Sequence, residues 1–106
     1  MEDLELMCFR IISHVGNAKS CYIEAIHLAQ DGNYEAAENK LKEGEVSFIE
    51  GHHAHANLIQ KEAAGTPTMV TLLLVHAEDQ LMTAETVCTL AKEFIKLHKK
   101  VNTISA

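Results

Sequence analysis

The chain has no tryptophan, one proline, five glycines and only 5% aromatic residues. Each shortage excludes something. A core with so few rings must be built from Leu, Ile, Val, Ala and Met. One proline and five glycines are too few for a turn-rich β-sandwich. Cysteine is scarce and odd in number: Cys8, Cys21 and Cys88 form no CxxC. That pattern fits free thiols in a reducing cytosol rather than a disulfide framework. Basic charge is short as well. Nine Lys and Arg against 15 Asp and Glu leave a net charge of −6 with His neutral, and no basic cluster offers a face to nucleic acid. The uncharged stretch 66–77, with His76 counted as neutral, is shorter than the roughly 18 apolar residues that a spanning helix needs. The acidic N-terminus, MEDLELMCFRII, lacks the pattern of a signal peptide. The expected protein is cytoplasmic, binds no nucleic acid and has no segment inserted in a membrane.

What is present is helical. With 106 residues, 47% of them hydrophobic, the chain makes one domain, 1–106, with enough apolar side chain for a core. Leu4, Met7, Cys8, Ile11, Ile12, Val15, Ala18, Tyr22, Ala25, Ile26 and Ala29 follow three-and-four spacing, which predicts a first helix from about Leu4 to Asp31. Gly16 inside it implies a packing reason. Glu2, Asp3 and Glu5 suit its N-terminal dipole. Asp31-Gly32-Asn33 is a stop and restart, with Asn33 as the next N-cap. The second helix is expected from Tyr34 to about Ala64, with Leu41, Phe48, His52, His55 and Ile59 on one stripe and Gly44 and Gly51 weakening it. Gly65 closes it. A cap at Thr66, with Pro67 at the first helical position, or at Thr68, would start a third helix running to Lys100. Short connections make this an antiparallel up-down-up three-helix bundle, all-α. Met69 to Val75 holds only Thr71 as a polar residue. A helix apolar all round must be covered all round, so we expect other subunits to cover it near a symmetry axis.

Beside that greasy run stands the densest titratable cluster, HAEDQ at 76–80. His76, Asp79 and Gln80 are three or four apart and share a face with Leu72, Leu73 and Thr83. Val70, Leu74, Ala77, Leu81, Ala84 and Cys88 take the opposite, core-facing side. A partly buried His76 there can be a general base, a metal ligand, a phosphoryl acceptor or simply a hydrogen-bonded interface residue. A carboxylate such as Asp79 beside apolar surface is costly unless paired or metal-bound. Copies converging on an axis would demand a cation, and oxygen ligands favour Mg²⁺ or Ca²⁺. The second histidine group, GHHAH at 51–55, puts His52 and His55 on one face but lacks the remaining ligands of a zinc site. His14, His27 and His98 stand singly at surface or boundary positions.

LLLVHAEDQLMT at 72–83 resembles the active-site motif of the lactose/cellobiose family of enzyme IIA proteins of the bacterial sugar phosphotransferase system. GNAKS at 16–20 resembles the family's Gly-x-Ala-Arg-Ser stretch, and DGNYEAA at 31–37 its first inter-helix turn. Glu50-Gly51-His52, Leu58-Ile59 and Glu62-Ala63 resemble the end of its second helix. The resemblance runs through nearly the whole chain in order. It implies a homotrimer with the third helix near the threefold axis, phosphorylation on His76 and an axial, metal-binding Asp79 that holds Mg²⁺ or a similar divalent cation. His76 would accept a phosphoryl group from the histidine-containing phosphocarrier protein and pass it to a cysteine of enzyme IIB, for uptake of a disaccharide of the cellobiose, diacetylchitobiose or lactose class. Gln80 and Thr83 are the donors available to the phosphate on that face, against the repulsion of Glu78 and Asp79.

The chain departs from the family pattern at four places. Glu78 replaces a usual Gln, Gln80 a His, Lys19 an Arg, and His55 a Gln. The readings to be separated are therefore a phosphocarrier, a non-catalytic helical adaptor or metal-binding scaffold on the same bundle, and a histidine phosphotransfer domain of two-component signalling. The last lacks its usual Leu-Lys-Gly-type run after His76.

Overall fold

The first helix begins where the chain supplies its own cap. In the computed structural model, which describes residues 3–105, the Asp3 side chain accepts a bond from the Glu5 amide at 3.3 Å. Helix α1 runs Leu4–Gln30, α2 runs Tyr34–Ala63 and α3 runs Leu72–Ser105. Glu2, grouped with Asp3 and Glu5 above, lies outside the described residues. Asp31 caps α1, and Gly32 takes the left-handed φ of 83° that the reversal needs. Asn33 is the N-cap of α2 by position, but its side chain makes no capping bond. Gly65, at φ 98°, ends α2.

Cross-helix contacts set the directions. Glu24 meets Lys40 at 3.4 Å and Asn17 meets Ser47 at 2.6 Å, so α1 and α2 are antiparallel. His55 meets Glu78, Glu45 meets Lys92 and Glu38 meets Lys99, so α2 and α3 are antiparallel too. The all-α, up-down-up three-helix arrangement is as expected. α1 is the central member and packs along both neighbours, whereas α2 and α3 approach each other closely over only a few residues. Their link is made largely by ion pairs and by Tyr34. The Tyr34 hydroxyl donates to the His98 carbonyl and accepts from Asn102, with Lys99 over its ring. α3 runs on to Ser105, beyond the Lys100 expected from the sequence.

Two clusters make the core. One joins Met7, Cys8, Ile11, Val15 and Leu58 to Leu74, Ala77, Leu81 and Ala84. The other joins Ala18, Tyr22, Ala25, Ala29, Ala37 and Leu41 to Ala91 and Ile95. Each large side chain fully buried here is worth roughly 1.5–3 kcal/mol against exposure. Gly44 and Gly51 do not weaken the α2 stripe; they are buried in it. A Cβ on Gly44 would stand 2.7 Å from Tyr22 Cε1, and one on Gly51 would stand 2.7 Å from Val15 Cγ1. They let α2 lie close on α1. His52 and Ile59, by contrast, are exposed rather than part of the buried stripe. Gly16 also differs from expectation, since nothing lies within 4 Å of a Cβ built there.

The start of α3 is the largest correction. Residues 66–71 are not helical. The cap is Thr71, whose hydroxyl accepts from the Leu74 amide at 3.1 Å and whose carbonyl accepts from Val75 at 3.0 Å. Pro67 begins no helix, and Val70 is 74% exposed instead of core-facing.

Burial also governs the thiols. Cys8 and Cys21 are buried and Cys88 is half-buried. Burial, reinforced by the charge of Glu78, pushes the Cys8 thiol above its ordinary value near 9; burial, then Glu43, does the same to Cys21. Both groups hold their protons longer folded than unfolded. Their contribution to stability is thus full below the ordinary thiol pKa and falls as pH rises past it. A disulfide-exchange reagent should label Cys88 first at neutral pH, and reach Cys8 and Cys21 only on unfolding. Equal labelling of all three in the native state would contradict this core.

Candidate functional site

The HAEDQ cluster is divided by the helix that carries it. The core-facing line of α3 runs Leu74, Ala77, Leu81, Ala84, Ala91 and Ile95. Directly opposite, an exposed apolar stripe follows Leu72, Val75, Met82, Leu90, Phe94, Leu97, Val101 and Ile104. Its steps of three and four residues continue through Asp79 and Thr86. Asp79 is exposed in the middle of this stripe, and its carboxylate has no hydrogen-bond or ion-pair partner among the described residues. A lone carboxylate does not make a metal site within one subunit. No group of three His, Cys, Asp or Glu suited to a metal is found among the described residues.

His76 stands on the flank between stripe and core, on the side of α1. It is exposed in the single subunit, not partly buried as the sequence led us to expect. Gln80 and Thr83, one and two turns on along the same flank, are half-buried. From α1, Lys19 reaches across and its ammonium donates to Gln80 Oε1 at 3.4 Å. Glu78 faces the other way. It lies toward α2, where His55 Nε2 is 2.6 Å from its Oε1. The carboxylate expected to crowd a phosphate on His76 is therefore turned away from it.

The four departures from the family pattern thus meet in two pairs, Lys19 with Gln80 and His55 with Glu78. Sequence reasoning noted each singly. Partners 61 residues apart in the first pair leave no local periodicity to join them. His76 lines neither of two hollows on the subunit surface. A groove of about 520 Å³ between α2 and α3 is lined by Glu38, Lys42, Glu45, Lys92 and Lys96, among others, with Lys92 held 2.9 Å from Glu45. A smaller hollow on α1 involves Lys19, Ile23 and His27. An exposed imidazole on a rigid helix suits a macromolecular partner better than an enclosed small substrate. His52 stands beside the Phe48 ring, with centroids 6.1 Å apart, and belongs to no metal-ligating group of three among the described residues.

Three exposed or half-buried polar side chains on one flank of an all-α subunit make an open surface rather than a binding cavity. Residues 6–99 match the family model for the lactose/cellobiose-specific IIA subunit of the phosphotransferase system. The lichenan-specific phosphotransferase enzyme IIA component of Bacillus subtilis is 44% identical, over 94% of this chain and 91% of that protein. The cellobiose-specific enzyme IIA of Bacillus anthracis superposes with a TM-score of 0.91 at 38% identity, covering 97% of this chain and 95% of that one. The chitobiose-branch IIA of Escherichia coli, solved in complex with HPr, superposes with a TM-score of 0.83 at 31% identity, covering 96% and 99%. The chain therefore belongs to the lactose/cellobiose-specific enzyme IIA family, whose members are phosphotransferase components of the sugar phosphotransferase system. No helix among the described residues is long and apolar enough to cross a membrane.

Proposed function

We propose that this protein carries a phosphoryl group on His76 between the histidine-containing phosphocarrier protein and a cysteine of its enzyme IIB. The observation that carries the reading is an exposed His76 with Gln80 and Thr83 on the same flank of α3, at the position where the family resemblance puts the acceptor. A ring nitrogen of His76 attacks the phosphorus on the donor histidine; one N–P bond forms as the other breaks. The IIB thiolate then attacks the same phosphorus, an S–P bond forms and the His76 N–P bond breaks. Such transfers depend on position and charge stabilisation more than on covalent help from the protein. The Gln80 amide and the Thr83 hydroxyl supply hydrogen bonds to the phosphoryl oxygens. A disaccharide of the cellobiose, diacetylchitobiose or lactose class is phosphorylated later, at the membrane, and this protein need not touch it. The test is phosphoryl uptake read by intact mass, with phosphoenolpyruvate, enzyme I and the histidine phosphocarrier supplied. One acid-labile phosphate per chain is expected, and none with an active donor would sink the carrier reading.

The exposed stripe of α3 supports a homotrimer. Apolar side chains in three-and-four steps over the length of a helix are costly to leave in water. Three copies packed along the stripe would cover it and bring three Asp79 carboxylates to the axis. Their oxygen donors fit a hard divalent cation such as Mg²⁺, which would supply the charge that offsets their repulsion. Leu97→Glu, which puts a charge on each face of that seam, should shift the sedimenting species from three chains to one. In the same assay a chelator should lower the melting midpoint of the wild type, and Asp79→Asn should remove that sensitivity. A wild type that sediments as one chain at all concentrations would exclude the trimer.

A further inference from the structure

We propose that Lys19 is a positioning residue for phosphoryl transfer that acts through Gln80, an inference resting on the carrier reading above. The Lys19 ammonium lies 3.4 Å from Gln80 Oε1. An ammonium has donors and no acceptor, so it can hold only the oxygen end of the amide. The NH₂ end is thereby turned to the remaining side. No other hydrogen bond of the Gln80 side chain occurs among the described residues, so that NH₂ is free to donate. The Cα–Cβ bonds of a helix tilt toward its N-terminus, which for Gln80 is the turn that carries His76. The Cβ atoms of residues four apart lie about 5–6 Å from one another. The free NH₂ is therefore offered on the flank where a phosphoryl group on His76 would stand.

The chemistry makes the orientation matter. Phosphoryl oxygens only accept hydrogen bonds, so an amide helps with its nitrogen and repels with its oxygen. The last torsion of a glutamine is broad and roughly two-fold, and without Lys19 both orientations are open. Lys19 removes the wrong one. Its charge also polarises the amide, which strengthens the NH₂ as a donor. Lys19 need not touch the phosphoryl group to do either.

The experiment compares the rate of phosphoryl arrival from the phosphorylated histidine phosphocarrier in wild type, Lys19→Met, Lys19→Arg, Gln80→Leu and the Lys19→Met/Gln80→Leu double variant. Methionine keeps most of the apolar stem, so folding should be intact, as a thermal scan would show. Losing an oriented, charge-assisted donor should slow Lys19→Met roughly tenfold. Lys19→Arg, which can also donate to Oε1, should recover most of the rate. The double variant should be no slower than Gln80→Leu alone, because the lysine acts through the amide. In ¹⁵N spectra the Gln80 side-chain signals should move on phosphorylation in the wild type and stay in place in Lys19→Met. A Lys19→Met variant at the wild-type rate overturns the proposal while leaving the carrier reading intact. So do losses that multiply in the double variant, which would make Lys19 an independent charge. A wild type that takes up no phosphate removes both.

Discussion

His76→Ala is expected to take up no phosphoryl group under conditions in which the wild type gains one and releases it in acid. The loss should be complete rather than partial, because the chemistry needs a nucleophile and the rest of the flank has none to match it. Gln80 is an amide. Thr83 is a half-buried hydroxyl, and an ester formed there would survive the acid that cleaves an N–P bond. The lability of the product thus separates the two groups without any variant. Uptake that persists in His76→Ala would move the acceptor to another exposed histidine, of which His52 and His53 on α2 are the first to test. Because His76 is exposed and makes no hydrogen bond or ion pair among the described residues, the variant should fold and melt like the wild type. A lost signal would then report the chemistry. Gln80→His, which gives the flank a group able to move a proton, is a useful second variant, since it alters the support without touching the acceptor.

Much of this was legible in the sequence, and the misses have physical causes. The ends of α1 and α2 follow from capping and glycine chemistry, and both fall within a residue of expectation. The start of α3 did not. Thr66, Thr68 and Thr71 are equally good caps in isolation, and proline at a first helical position is favoured. The choice depends on which turn can bury Leu74 and Ala77 against α1, and that is a tertiary matter. Gly44 and Gly51 read as interruptions because a hydrophobicity pattern scores a missing side chain as a defect. In close helix packing the missing side chain is the contact. His76, Asp79 and Gln80 could be placed on one broad face from spacing, but the angular detail that sends Glu78 to His55 and Gln80 to Lys19 depends on where α1 and α2 lie. A pattern on one helix cannot supply it.

Glycine at 44 and glycine at 16 should respond to the same substitution with opposite sign. Alanine in a helix interior is favoured over glycine by about 1 kcal/mol, and that gain applies at both sites. At Gly44 the new methyl would stand 2.7 Å from Tyr22 Cε1 and 3.0 Å from Cys21 Cβ. Tyr22 cannot yield easily. It is 1% exposed, and burial, with the Cys88 thiol beside it, holds the hydroxyl proton far more tightly than usual. Overpacking of this kind costs about 1–3 kcal/mol, so Gly44→Ala should be destabilised by up to about 2 kcal/mol net, and Gly44→Val by more. For a chain of this size 1 kcal/mol moves the melting midpoint by roughly 4–8 °C, which a thermal scan resolves at matched protein concentration. Gly16→Ala meets no atom within 4 Å in the subunit and should gain about 0.5–1 kcal/mol. A rise at 16 with a fall at 44 would establish that close α1–α2 contact, rather than helix propensity, dictates glycine on α2. A fall at 16 would instead place a second chain against the open side of α1, on the helix that also carries Lys19 toward Gln80.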